Sequence, residues 1–220
     1  MSPAIIFDMD GVIIRSEQLW NEREPPYLRR ILGPDIASQI SGKTRGLSAS
    51  MIYEWAKGLG YRGSKSEMYK GYDVLAKRIY EEGPITEGID GLIRALHEKD
   101  VILGLVSSSR KPWIMTVVGR LTNGNAFQFI ESVDDHPELR PKPAPDGYIA
   151  AMRALKVTPE HTLIIEDSQT GINAAIASGA HVCCFTLHAE GELPHGIDRY
   201  VHSVKELTDL CYDFANSALK

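Results

Sequence analysis

The sequence predicts an α/β protein: a doubly wound, Rossmann-like parallel sheet covered by helices, with a small all-helical cap domain inserted after the first strand. Three observations carry this. After about residue 85, short apolar runs alternate with stretches of helical spacing, the βαβ pattern of a parallel sheet. A similar apolar run opens the chain, and the segment between the two, from about Ser16 to Glu82, holds no convincing strand. The length of 220 residues, at roughly 150 per domain, fits one domain with a sizeable insertion.

In chain order, Ala4 to Phe7 is the first strand. The stretch that follows is rich in Leu, Ile, Tyr, Lys, Arg and Glu and is cut by Pro25-Pro26, Gly33-Pro34, Gly42 and Gly58, as a bundle of short helices would be. Hinges are expected near residues 13–16 and 82–86, giving a core of 1–15 and 84–220 and a cap of 16–83. Val101 to Val106, Phe129 to Val133, Thr162 to Ile165 and Val182 to Phe185 are the remaining strands. Tyr148, Ala151, Met152 and Leu155 fall at i, i+3, i+4, i+7, and Ile172, Ala175 and Ile176 repeat the stripe, as amphipathic helices require. Gly179 is a helix stop, and a last helix from about Val204 to Leu219 packs on the sheet.

Composition narrows the function. Lys plus Arg total 24 against 29 for Asp plus Glu, a net charge of −5. The sequence pI near 5.8 is far from the basic footprint of a nucleic-acid binder. No run approaches the roughly 18 uninterrupted apolar residues of a membrane span, and Met1 to Asp8 lacks a basic leader. The three cysteines are odd in number, with Cys183 and Cys184 adjacent in a strand and facing opposite ways, so no disulfide framework is implied. A soluble, unprocessed, cytoplasmic protein is expected, with no nucleic-acid or membrane partner.

The first strand delivers Asp8 and Asp10, two residues apart and therefore on one face. Two close carboxylates repel unless a cation lies between them or one keeps its proton. Alone, Asp-x-Asp-Gly also suits an Asx turn or a helix cap. Strand two ends in Ser107-Ser108-Ser109-Arg110 before a helix, where free N–H groups and hydroxyls make an anion seat, although plain N-capping uses the same residues. Strand four stops at Glu166-Asp167-Ser168, and Arg140-Pro141-Lys142-Pro143 holds a lysine in a stiff, extended loop. Ligands of a doubly wound sheet bind beyond the carboxyl ends of the strands. Asp8, Asp10, Ser107, Glu166 and Asp167 all fall there, which as capping alone would need five independent accidents.

This series resembles the haloacid dehalogenase superfamily over nearly the whole chain. The match is closest to the subgroup with a small helical cap, which includes beta-phosphoglucomutase and small sugar-phosphate phosphatases. Phe7-Asp8-Met9-Asp10-Gly11-Val12, Lys142-Pro143-Ala144-Pro145-Asp146 and Glu166-Asp167-Ser168-Gln169-Thr170-Gly171-Ile172 carry it. The resemblance implies that Asp8 is a nucleophile forming an aspartyl-phosphate and that Asp10 is the acid and base. It implies Mg²⁺ held by the Asp8 carboxylate, the Asp10 backbone carbonyl and Asp167, with Glu166 as a ligand or just behind. Lys142 and Ser107 would cradle the transferred oxygens, with Ser108, Ser109 and Arg110 on the substrate side.

The substrate implied is a small phosphorylated metabolite, and the activity a Mg²⁺-dependent phosphatase. Dehalogenation itself needs neither metal nor second acid. A phosphosugar mutase is the nearer competitor, but Ile14-Arg15-Ser16-Glu17 departs from the family's common Asp at position 15, and Trp20 stands where the mutases place a His. Gly42-Lys43-Thr44-Arg45 resembles the cap loop that meets phosphate or sugar, making Gly42, Lys43, Arg45 and Trp20 substrate-side candidates, although a solvated basic loop reads the same way. A non-catalytic phosphate-ligand binder would not need a nucleophile and an acid together. The cap residues Tyr53, Trp55, Tyr61, Tyr69, Tyr72 and Tyr80 are expected to pack. The seven-residue spacing of His188, His195 and His202 is interrupted by Gly191, Pro194 and Gly196.

Overall fold

A computed structural model describes residues 2–44, 47–188, 193–197 and 199–218. Six strands form one sheet: β1 (Ala4–Phe7), β2 (Ile102–Ser107), β3 (Phe129–Ser132), β4 (Thr162–Glu166), β5 (His181–Phe185) and β6 (Tyr200–Val201). Their order is β3-β2-β1-β4-β5-β6 and every pairing is parallel. The chain builds outward from β1 on one side, then returns to build outward from β4 on the other. The boundary between β1 and β4 is therefore the switch point at which such sheets open a crevice.

Alternation along the strands sends side chains to two cores. Ile5, Phe7, Leu103, Leu105, Leu163 and Ile165 pack with α5 (Ile89–His97), α6 (Lys111–Val118) and α9 (Val204–Ala218). Ala4, Ile6, Val106 and Ile164 pack with α7 (Asp146–Leu155) and α8 (Gln169–Ala177). A sheet covered on both faces can be apolar throughout, and β1 and β4 are wholly buried. α8 stops at Ser178, with Gly179 at φ +83°. The two-residue β6 was not expected. It has too few residues to show a period, and is held by hydrogen bonds from Cys184 N–H to Arg199 C=O at 2.9 Å and from Thr186 N–H to Val201 C=O at 2.8 Å.

Between β1 and α5 lie only helices among the described residues: α1 (Glu17–Leu32), α2 (Pro34–Ile40), α3 (Ala49–Gly58) and α4 (Lys65–Glu82). Ser48 caps α3, and Ser64 with Glu67 forms a capping box at the start of α4. Pro25-Pro26 does not cut the chain as expected, because α1 runs through both prolines. The carbonyls they leave without intrahelical donors belong to the exposed Asn21 and Glu22, where water can serve. Buried Tyr27 and Leu28 hold the next turn in place.

The two passages between sheet and helices run side by side. Arg15 N–H donates to Pro84 C=O and Thr86 N–H to Ile13 C=O, both at 2.9 Å, around an antiparallel bridge between Ile14 and Ile85. Tyr27, Ile52, Tyr72, Ile79 and Tyr80 of the inserted helices join the same apolar cluster as α6 and the sheet.

Candidate active site

Register sets the floor. Phe7 pairs with Leu105 on one side and Ile165 on the other, so β1, β2 and β4 end level. Asp8 follows β1, with its N–H bonded to Ile165 C=O at 2.9 Å, and stands beside Glu166. Lys142 Nζ donates to Asp8 Oδ1 at 2.5 Å and to Glu166 Oε1 at 2.6 Å, with only 7% of its surface exposed. The loop carrying it is a turn, not the extended segment expected. Ala144 N–H reaches Pro141 C=O at 3.0 Å, and Asp146 clamps Arg140 through backbone and guanidinium.

Glu166 is wholly buried and fully engaged. Besides Lys142, it accepts Tyr148 OH at 2.8 Å on Oε1, and on Oε2 it accepts the Asp167 N–H at 3.0 Å, the Ser168 N–H at 3.2 Å and the Ser168 hydroxyl at 3.0 Å. Burial alone would push its pKa up, but Lys142, Tyr148 and the backbone donors outweigh that and hold it below the usual range. Asp8 differs. Burial, then the neighbouring Glu166 and Asp10 carboxylates, push it up to about 8 in spite of Lys142. Burial opposes the charge of Lys142 as well, yet Asp8 and Glu166 keep it protonated.

Oxygens of Asp8, Glu166 and Asp167 lie within 4.8 Å of one another. Two glycines make room: a Cβ on Gly11, at φ +80°, would overlap the Asp167 carboxylate, and one on Gly171 would overlap that of Glu166. An all-oxygen donor set, in which burial raises Asp8 even beside Lys142, fits a hard divalent cation such as Mg²⁺. Because Glu166 has its lone pairs committed, it would stand behind such a cation and not ligate it directly.

Asp10 lies apart from that cluster. Its carboxylate accepts hydroxyls from Ser16 at 2.5 Å, Tyr80 at 3.0 Å and Ser109 at 3.2 Å, and Tyr80 and Ser109 also bond each other at 2.9 Å. Burial raises its pKa, and the three hydroxyls only partly offset this. Tyr80, on α4, is raised well above its ordinary value by burial and by Asp10, so it remains a donor.

One cleft is lined by Asp8, Asp10, Ser107, Ser108, Ser109, Lys142, Asp167 and Trp20, with Glu166 beneath its floor. The other expected residues are elsewhere. Arg110 is the N-cap of α6 and gives its guanidinium to Asp73 at 2.5 Å and Asp135 at 3.4 Å, stacked 4.7 Å over Tyr69, so it joins α4 to the sheet instead of lining the cleft. The helix end expected to seat an anion is likewise taken, since Lys111 N–H donates to Asp135 at 2.6 Å. Only the serines before it reach the cleft. Gly42, at φ +77°, and Lys43 are exposed and outside its lining, whereas Thr44 is in it. Arg45 lies outside the described residues. His188 and His202 bond Thr86 and Thr186, and His195 meets Gln169 through its backbone.

Sequence reading missed much of the roof. Tyr72 and Tyr80 do more than pack: both line the cleft, and their hydroxyls meet Glu24 and Asp10. Ser16, Glu24 and Trp113 line it too. A usable signal was present, because Glu17, Trp20, Asn21 and Glu24 recur at i, i+3, i+4, i+7 and form one face of α1.

Residues 5–185 match the family model described as haloacid dehalogenase-like hydrolase. Hexitol phosphatase B of Escherichia coli K12 is 29% identical over 179 residues, covering 80% of this chain and 79% of that protein. The mitochondrial (DL)-glycerol-3-phosphatase 1 of Arabidopsis thaliana is 24% identical over 187 residues, covering 81% of this chain, which spans only 62% of that protein's length. The crystal structure of beta-phosphoglucomutase from Clostridium difficile superposes with a TM-score of 0.78 at 22% identity, covering 100% of this chain and 99% of the other, a likeness of fold. No helix among the described residues is long and apolar enough to cross a membrane. The protein is an enzyme of the haloacid dehalogenase-like hydrolase family.

Proposed function

We propose that the protein is a Mg²⁺-dependent phosphatase acting on a small phosphorylated metabolite, with residues 16–83 serving as a cap over a core of 1–15 and 84–220. The observation that carries this is the separation of two carboxylates two residues apart. Asp8 stands with Lys142 and the acidic cluster, while Asp10 is turned to three hydroxyls. That division gives one carboxylate for attack and another for proton transfer.

Asp8, Asp167 and the Asp10 carbonyl would hold the cation, with Glu166 behind them fixing Lys142. Bound there, Mg²⁺ supplies positive charge that lets a carboxylate meet a phosphate and favours ionised Asp8. Lys142 Nζ and the Ser107 hydroxyl bind the non-bridging oxygens. Asp8 then forms a bond to phosphorus as the bond to the leaving oxygen breaks, and Asp10 gives that oxygen its proton. In the second half, Asp10 takes a proton from water, whose oxygen bonds phosphorus and frees Asp8. Burial raises the pKa of Asp10, which suits the proton-holding form needed first.

The hexitol and glycerol phosphatases among the relatives support hydrolysis of a phosphorylated polyhydroxy compound. Mutase chemistry requires a second phosphate seat opposite the first, and the α1 wall facing the cleft carries the carboxylate of Glu24. The test is incubation with Mg²⁺ and a panel of phosphate esters, following both released phosphate and isomerised ester. Release without isomerisation, its loss with EDTA, and a fall in kcat/KM of at least about 10³-fold in Asp8→Asn are expected. An active Asp8→Asn protein would end the proposal.

A further inference from the structure

Of the four residues that α1 turns toward the cleft, Glu24 is the most buried, with 7% of its surface exposed. Each of its oxygens accepts one hydroxyl: Oε1 that of Tyr72 at 2.8 Å, and Oε2 that of Thr44. Tyr72 is itself held well above its ordinary pKa by burial and by Glu24, so it stays a donor and orients the carboxylate without neutralising it. A carboxylate has about four lone-pair positions. Two remain on a side chain that lines the cleft.

Four aromatic rings, Tyr72 among them, line the same cleft. Trp20 lies 6.2 Å from Tyr72, 6.0 Å from Tyr80 and 6.0 Å from Trp113, and Tyr72 lies 6.2 Å from Trp113. Such a wall offers apolar faces to C–H groups and one oriented acceptor to O–H groups. The hydroxyl donors of Tyr72 and Thr44 point at Glu24, so an acceptor-only group remains for whatever enters.

We propose that Glu24 determines specificity by accepting hydrogen bonds from the hydroxyls of a neutral polyhydroxy chain, so that the substrate is the phosphate monoester of a sugar alcohol or similar polyol. This deepens the phosphatase reading and rests on it. A substrate bearing a carboxylate or second phosphate at that end would set like charge against Glu24 in a water-poor site. A substrate lacking hydroxyls would leave the buried carboxylate short of donors.

The protein with Mg²⁺ is assayed on sorbitol 6-phosphate, 2-phosphoglycolate, glucose 1,6-bisphosphate and acetyl phosphate. Sorbitol 6-phosphate is expected to exceed 2-phosphoglycolate in kcat/KM by about 10²-fold. Glu24→Gln lowers kcat/KM for sorbitol 6-phosphate by about tenfold, mainly through KM, and that for acetyl phosphate by about threefold or less. Glu24→Asp, which keeps the charge but withdraws it by one methylene, shows the same selective loss. Should neither variant fold, inhibition of acetyl phosphate turnover in the unmodified protein decides the matter: sorbitol inhibits and glycolate does not. Equal losses on the two substrates, or 2-phosphoglycolate or the bisphosphate preferred over sorbitol 6-phosphate, overturn the role of Glu24 while leaving a phosphatase. No release from any of the four, acetyl phosphate included, overturns the phosphatase reading itself.

Discussion

The floor and the roof of the cleft are built on different physical terms. The floor is a charge network: Lys142, Asp8 and Glu166, each at most 7% exposed, lie within 2.6 Å of one another's charged atoms along the Lys142 bonds. Its geometry is fixed by the parallel register of β1 and β4. The roof is made of aromatic rings and hydroxyls on α1 and α4, and its ion pairs to the sheet domain run through more exposed groups. Arg110 meets Asp73 with side-chain exposures of 20% and 44%, and Trp113 Nε1 donates to the same carboxylate at 2.8 Å. Ser50 and Tyr69 meet Asp134 across the same boundary. The charges of the floor are buried in the sheet, whereas the helical surface above them is tied to it by ion pairs that water can replace.

Removing one partner from each region tests that contrast. Lys142→Met leaves two buried carboxylates facing each other and is expected to cost about 3–5 kcal/mol of stability at pH 7 by urea denaturation. Millimolar Mg²⁺ should recover part of the loss by supplying charge at the same place. Asp73→Asn in the roof is expected to cost about 1 kcal/mol or less. Similar losses for the two would show that the roof is as firmly bound as the floor, and the distinction would fail.

The same contrast explains what could be read before the structure. Asp8, Asp10, Lys142, Glu166 and Asp167 announce themselves because each follows an apolar run or a proline turn, and strand ends of a parallel sheet converge by construction. The roof has no such rule. Arg110 reads as a phosphate contact from its place after strand two, but Asp73, far away in sequence, claims its guanidinium. Tyr72 and Tyr80 read as packing because burial and hydrogen bonding are both compatible with a helix-face tyrosine. Only the meeting of α4 with Asp10 and Glu24 separates them. Pro25-Pro26 misleads for a related reason, since local propensity is overridden where neighbouring turns are held by buried residues.

Tyr80, like Ser16, reaches from the roof to the chemistry of the floor. Tyr80→Phe removes one of three hydroxyls from Asp10 and should lower kcat by about tenfold with little change in KM, because Ser16 and Ser109 still hold the carboxylate. A pH profile distinguishes positioning from packing. Loss of a donor to the ionised form raises the pKa of Asp10 further, moving the alkaline limb of kcat/KM, which an acid that must first hold its proton sets, upward. An unshifted limb with reduced stability alone would assign Tyr80 to packing.

The smallest effect concerns the stability cost of the roof's own carboxylate. Burial raises the pKa of Glu24 above its ordinary 4.5, and the hydroxyls of Thr44 and Tyr72 only partly oppose this. Between 4.5 and the raised value, the folded protein therefore binds more protons at this position than the unfolded chain. Stability must then fall as pH rises through that window, the cost being complete above it and absent below. Glu24→Gln removes the titration. Wild-type minus Gln melting temperatures should decline with rising pH across the window and run level on either side, whatever constant offset the lost hydrogen bond contributes. A flat difference would mean that the carboxylate is already compensated, and a cation rather than a hydroxyl-bearing chain would become its natural partner in the cleft.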